Sequence, residues 1–93
     1  MFAGLLSVEL FLPEVSSLKE KRMVIKSLKD ILRNKFNISI SEVESNDKWQ
    51  RAALAVAVVG NDKKYIDGQI QAVLQEIEKK RDVQILTHQM EII

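Results

Sequence analysis

The alternation of apolar and polar residues is regular near the N-terminus of the 93-residue chain, from residue 6 to residue 12. Successive side chains of a β-strand point to opposite faces, so this pattern predicts a half-buried strand. Pro13 should end the strand because proline has no backbone N–H to donate. The predicted buried face carries Leu6, Val8, Leu10 and Leu12, and the opposite face carries Ser7, Glu9 and Phe11.

The apolar spacing then changes to that of a helix. Ser17 followed by Glu20 has the form of a capping box, which predicts a helix from there to about Lys35. Lys21 falls inside the apolar stripe of this helix, so we expect its ammonium group either to extend to solvent or to pair with a carboxylate, for which Glu42 and Glu44 are candidates. The stripe itself consists of Leu18, Val24, Ile25, Leu28, Ile31, Leu32 and Phe36.

The next segment predicts two strands joined as a hairpin. Residues Asn37–Glu44 form the second strand, and the polar residues 45–48 form a turn. The third strand covers Arg51–Val59, with Leu54, Val56 and Val58 on one face. Its other face carries three small side chains, those of Ala53, Ala55 and Ala57.

A second helix and a fourth strand complete the chain. Gly60-Asn61-Asp62 should end the third strand and cap the helix, whose buried stripe is Ile66, Ile70, Val73, Leu74 and Ile77. The fourth strand spans Val83–Ile93, and the sequence does not determine which of its two faces is buried. Leu86, Met90 and Ile92 share one parity, whereas Val83, Ile85 and Ile93 share the other.

The predicted order β-α-β-β-α-β defines the fold class. Two β-α-β crossovers joined by a hairpin give a four-stranded antiparallel sheet with both helices on one face, which is the α+β, ferredoxin-like arrangement. A chain of 93 residues has room for one hydrophobic core, so we expect one domain over residues 1–93.

Five cations of the first helix lie beside its apolar stripe, within an arc of about 80°, and are called the basic stripe below. Net charge is only +1, so any attraction to polyanions must be local. Glu20 and Asp30 fall outside the arc, which predicts that they do not neutralise it. One interpretation is contact with a phosphate backbone; the other is a solvated face whose aliphatic stems cover the edge of the core. The basic stripe is Lys19, Arg22, Lys26, Lys29 and Arg33.

The face of the sheet away from the helices lacks the aromatic rings on which RNA-binding sheets of this fold stack bases. Ala53, Ala55 and Ala57 occupy those positions, and Phe11 is the only ring on the first strand. RNA contact should therefore use the helix and the loops. Small side chains also permit close approach of a second sheet, so these four residues form the predicted interface of a homodimer in the alternative interpretation.

The sequence contains no recognisable set of catalytic residues. Cysteine is absent, and His88 is the one histidine. A glycine-rich phosphate loop is also missing, so we expect no catalytic residue, no cofactor and no metal site. No stretch approaches the roughly 18 apolar residues of a membrane span, and the N-terminus lacks a positively charged leader; a cytoplasmic protein without membrane contact is expected.

Three stretches carry a family resemblance: "SLKEKR" at 17–22, "KFNISISEVESNDKWQRAAL" at 35–54 and "VAVVGND" at 56–62. They resemble the YlxP-like family of small bacterial proteins of unknown function, apart from Ala55, where the family pattern has glycine. The resemblance implies a ferredoxin-like fold and no established activity or cofactor. It also implies gene neighbours that act in translation initiation and ribosome maturation. Lys19, Lys21 and Arg22 belong to the matching motif.

The sequence therefore predicts a non-enzymatic accessory protein that binds structured RNA or a ribosomal subunit. Its contact residues would be the basic stripe, with Lys21, and Trp49, Gln50 and Arg51 from the neighbouring hairpin. The alternative is a homodimeric protein-interaction module that associates through Phe11, Ala53, Ala55 and Ala57 and has no nucleic-acid role.

Overall fold

Four strands and two helices follow one another in the order β-α-β-β-α-β in the computed structural model, which describes residues 1–44 and 48–93. Of the predicted turn at 45–48, only Lys48 lies within the described residues. The predicted elements are confirmed, with ends shifted by a few residues. Their bounds are β1 Phe2–Phe11, α1 Leu18–Lys35, β2 Ser39–Glu44, β3 Arg51–Gly60, α2 Lys63–Lys79 and β4 Gln84–Ile92.

The four strands form one antiparallel sheet in the order β2-β3-β1-β4. β1 and β3 are central, and β2 and β4 are the edge strands. α2 packs on β1, β3 and β4, and α1 packs on β2 and α2. This is the ferredoxin-like α+β fold that the element order predicts. The face that carries neither helix is called the open face below.

A single cluster of buried apolar side chains lies between the sheet and the two helices. The predicted inward faces of β1 and β3 and the predicted stripe of α2 are confirmed, and so is the central part of the α1 stripe. Leu18 is an exception, because its side chain is 40% exposed. It is the first residue of α1 and precedes by nearly a full turn the first α1 side chain that is buried, that of Lys21.

The N-terminal cap of α1 differs in one detail from the predicted capping box. The Glu20 amide donates to Ser17 Oγ at 3.1 Å, as expected. The Glu20 carboxylate, however, accepts from the Ser16 amide at 3.1 Å and from the Ser16 hydroxyl at 2.9 Å. The reciprocal bond is therefore made one residue earlier in the chain than the motif predicts.

A β-bulge in β4 explains why both parities of that strand are apolar. Glu9 of β1 lies opposite Thr87, but the next residue, Leu10, lies opposite Ile85, so Leu86 is the extra residue. The insertion reverses the inside–outside alternation. Ile85 before the bulge and Met90 after it can therefore both pack against the core.

Candidate nucleic-acid interface

The two flanks of α1 face different neighbours. On one flank, Lys35 Nζ lies 2.8 Å from Glu76 Oε1 of α2, and this hydrogen bond lowers the pKa of the Glu76 carboxyl group. On the other, Arg33 Nη2 donates to the main-chain oxygen of Ile40 in β2 at 3.0 Å. Since β2 is an edge strand, the flank that carries the basic stripe overhangs the free edge of the sheet.

Three cations of the basic stripe form no ion pair with any residue that the structure describes. Lys19 and Arg22 are exposed, and Lys29 is half-buried. Across residues 1–44 and 48–93, none of the ion pairs involves any of these three side chains. Their charges therefore remain available to a ligand at the edge of the sheet.

The two remaining cations of the stripe are already engaged. Lys26 Nζ lies 2.8 Å from Asp30 Oδ2, and this hydrogen bond lowers the pKa of the Asp30 carboxyl group. The prediction that Asp30 leaves the stripe unneutralised was wrong, because side chains four residues apart are neighbours on a helix surface. Arg33 already donates one hydrogen bond to β2, as described above.

Lys21 is enclosed, with only 5% of its surface exposed. Its Nζ lies 3.4 Å from Glu42 Oε2 and 3.5 Å from the main-chain oxygen of Lys48. The predicted carboxylate partner is thus confirmed as Glu42. An ammonium group in this position cannot reach a phosphate without breaking the pair, so Lys21 is set apart from the stripe.

The hairpin residues divide between different roles. Trp49 is 48% exposed and follows Lys48, so it lies at the same end of the molecule as the first turns of α1. Gln50 ties the hairpin to the end of β1: its Nε2 donates to the Pro13 oxygen at 3.0 Å, and its main-chain oxygen accepts from Leu12 at 2.8 Å. Arg51 pairs with Phe11 on the open face, away from α1.

The open face has a feature that the sequence analysis missed. The side chains of Leu5, Val59 and Ile93 are exposed at one end of it. They are contiguous, since Ala3 pairs with Val59 and exchanges two backbone hydrogen bonds with Ile93. Leu5 and Val59 have the same strand parity as the predicted interface residues, a signal that was present in the sequence.

The centre of the open face is a shallow depression of about 480 Å³. Ala55 and Ala57 form part of its floor, and Leu5 lies at one end. Ala53 is 7% exposed and is already covered within the chain, so of the three predicted alanines only Ala55 and Ala57 present accessible surface. Phe11 and Arg51 line a separate cavity of about 350 Å³ with the hairpin residues 48–50.

His88 is exposed on β4. In the part of the chain that the structure describes, no three His, Asp or Glu side chains come together as a metal site requires. Neither helix is both long enough and apolar enough to cross a membrane, considering the described residues alone.

Comparisons with known proteins address the family and the fold. The model of the family described as "Protein of unknown function (DUF503)" matches residues 3–90. The "Uncharacterized protein YlxP" of Bacillus subtilis (strain 168) is 35% identical over 81 residues, which cover 87% of this chain and 88% of that protein. The resemblance found in the sequence is therefore confirmed.

Solved structures similar to this chain support the fold alone. A de novo designed protein with a ferredoxin fold, LFR1 1, matches with a TM-score of 0.57 and 12% identity over 100% of this chain and 84% of its own. SnoaB of Streptomyces nogalater, a cofactor-independent oxygenase, matches with a TM-score of 0.50 and 12% identity over 97% and 90%. Because one fold carries unrelated functions, neither likeness assigns an activity here.

Proposed function

The chain belongs to the DUF503 family of proteins of unknown function, and from the geometry of its surface we propose that it is a non-enzymatic accessory protein that binds structured RNA or a ribosomal particle. The observation that supports this proposal is the row of three cations on α1 beside the free edge of the sheet, Lys19, Arg22 and Lys29, none of which forms an ion pair among the described residues.

The row has the dimensions of a phosphate-backbone contact. Lys29 follows Lys19 by ten residues, a rise of about 15 Å along the helix, and a nucleic-acid duplex carries roughly one phosphate charge per 1.7 Å of its axis. Several phosphates therefore lie within reach of the row. Lys26 joins it at small cost, because water screens an exposed ion pair such as that with Asp30, which therefore contributes little to stability.

Contacts of this kind position a protein without reading the base sequence, so selectivity has to come from the shape of the RNA. Trp49 offers a second contact, because it is half exposed at the end of the molecule where Lys19 and Arg22 lie. Lys21 and Gln50, whose polar groups are bonded within the chain, are left out of the proposed site.

Replacing Arg22, Lys26 and Lys29 together by glutamine should weaken RNA binding at least about tenfold and reduce the slope of log affinity against log salt by about 2–3. Glutamine preserves helix propensity, so the fold should stay intact. Binding is measured by co-sedimentation with small and large ribosomal subunits, and by titration of a short RNA duplex, at low salt and at about 0.2 M salt.

The matched control replaces Lys64, Lys79 and Arg81 by glutamine, which removes the same charge from α2 and the segment after it. The control should bind as the wild type does, and so should Lys21→Met. Equal weakening by both triple variants would show that net charge alone attracts RNA. Unchanged affinity in the stripe variant would refute the proposal.

A second candidate is a homodimeric module that associates through the open face, favoured by the exposed Leu5, Val59 and Ile93. Contiguous apolar patches on a monomer often mark protein interfaces. Ala55→Phe places a large side chain in the central depression and should convert a dimer into a folded monomer, as measured by sedimentation velocity and circular dichroism. A dimer unaffected by this substitution would exclude the open face as its interface.

A further inference from the structure

The strand register arranges the open face in rows that cross the sheet. At one end, Val59, Ala3 and Ile93 form an apolar row across β3, β1 and the end of β4. At the other end lie two charges, Glu9 opposite Ala53 and Arg51 opposite Phe11. The face is therefore mainly apolar at one end and charged at the other, with one further charge, that of Glu91, on the edge strand β4 at the level of Leu5.

Glu9 and Arg51 are the two charged residues at this end of the face, considering the side chains that the structure describes. Neither takes part in any ion pair among the residues that the structure describes. Any partner that covers the open face must satisfy both charges, since a charge enclosed without a partner is strongly unfavourable. This requirement limits what the partner can be.

We propose that the partner is a second copy of this chain, related by a twofold axis that lies parallel to β1 and β3 and runs between them. This inference rests on the second candidate function, that the open face is a protein interface. Rotation about such an axis keeps each residue at its own level along the strands and exchanges the two sides of the sheet. β3 then faces β1 of the partner, and β2 faces β4 of the partner.

The two ends of the face match under this rotation. The apolar row meets the apolar row of the partner. Arg51 faces the partner's Phe11 and lies two residues along the strand from the partner's Glu9, a step of about 7 Å that an arginine side chain can span. The twofold axis makes every contact twice, so both copies of Arg51 and both copies of Glu9 gain a counter-charge.

The two edge strands of the face, β2 and β4, are also complementary under this rotation. Ser39 of β2 and Glu91 of β4 lie at the same level, because Ser39 pairs with Ala57, Ala57 with Leu5, and Leu5 with Glu91. When β2 faces the partner's β4, the Ser39 hydroxyl can donate to the partner's Glu91 carboxylate. Hydrogen bonds to a carboxylate are among the stronger ones in proteins.

A twofold axis perpendicular to the strands makes the opposite arrangement. It reverses the ends of the partner sheet and places Arg51 against the partner's Val59 and Glu9 against the partner's Leu5. Both charges are then enclosed by apolar side chains. The charge distribution therefore selects the axis parallel to the strands.

The size of the face suits a stable dimer. The 35 strand residues, each about 3.3 Å long in strands about 4.8 Å apart, give a projected area of about 550 Å², which is comparable in size to the roughly 800 Å² of accessible surface that each partner buries in a standard interface. Aligned sheet-on-sheet packing is a common mode of association. The basic stripe lies with the helices on the other side of the sheet, so RNA binding and dimer formation are compatible.

Charge exchange tests this arrangement. In sedimentation velocity over a dilution series, the wild type should dimerise, and Arg51→Glu or Glu9→Arg alone should weaken the dimer at least about tenfold by placing like charges together. The double variant Arg51→Glu with Glu9→Arg should recover the wild-type dissociation constant within about threefold. Lys64→Glu, a charge reversal on α2, is the matched control and should have no effect.

Each result bears on one statement only. If Ala55→Phe produces a monomer but the double charge variant does not recover dimerisation, the open face is the interface and the proposed axis is wrong. A wild type that stays monomeric, or a dimer insensitive to both single reversals, also overturns the proposal. RNA affinity, measured on Ala55→Phe, which changes no charge and none of the residues considered for RNA contact, should stay at the wild-type value, which separates this inference from the proposed RNA site.

Discussion

The Gly4→Ala variant should lose about 1–3 kcal/mol of unfolding free energy, the usual cost of overpacking a core. Gly4 lies in β1 on the side of the sheet that faces α2. A Cβ atom at this position would overlap Ile66 Cγ2 and lie 2.9 Å from Ile70 Cδ1. Both isoleucines are fully buried, so α2 has to move away from the sheet. Urea denaturation followed by circular dichroism measures the loss.

Gly68→Ala is the matched control. Gly68 lies on the exposed side of α2, has no positive φ angle, and has no heavy atom within 4 Å of an added Cβ. Alanine should therefore stabilise the protein by about 1 kcal/mol through helix propensity. If both glycine variants are equally stable, α2 does not pack against Gly4 as closely as the structure shows.

Removing the carboxylate of Glu42 should be the second large effect. Lys21 is 5% exposed, and Glu42 supplies the counter-charge of its ammonium group. Glu42→Ala leaves that charge enclosed and should cost about 2 kcal/mol. This is less than the 3–5 kcal/mol of a fully buried pair, because the Glu42 side chain is 32% exposed and water partly screens it. Urea denaturation at neutral pH measures the cost.

Lys21→Met should behave differently, because it removes the enclosed charge together with its need for a partner. Methionine has a similar length, and Glu42 remains partly hydrated, so stability should stay within about 1 kcal/mol of the wild type. Adding Glu42→Ala to Lys21→Met should then change little. A loss in Lys21→Met as large as that in Glu42→Ala would show that Lys21 stabilises the protein through contacts other than this ion pair.

Most of the fold was predictable because its signals are local. The alternation in β1 and β3 and the helical period in α1 and α2 depend on residues within a few positions of one another. The buried faces of β1, β3 and α2 are confirmed, and so is the central part of the α1 stripe, whereas Leu18 is exposed and Val24, Ile31 and Phe36 are partly buried. β4 was not predictable in the same way. Its bulge at Leu86 is a property of pairing with β1, some 80 residues earlier in the chain, and local periodicity does not reveal it.

The position of the candidate site was predictable from the sequence, but which of its cations are free to contact a ligand was not. The helical wheel placed five cations on one flank of α1, and the structure puts that flank beside β2. The pairing of Lys26 with Asp30 follows from a four-residue spacing that the sequence displays. Two other contacts depend on how β2 packs against α1. They are the hydrogen bond from Arg33 to Ile40 and the enclosure of Lys21 by Glu42 and Lys48.

The sequence by itself determined the element order, the apolar faces and the family, because each depends on residue types at short spacing. The tertiary structure decided which cations remain unpaired and which flank of α1 overhangs the sheet edge. It also showed that Val59, Ala3 and Ile93 form one row, with Glu9 and Arg51 at the opposite end of the same face. These features join residues that are far apart in the chain, and strand register and helix docking, not local periodicity, bring them together.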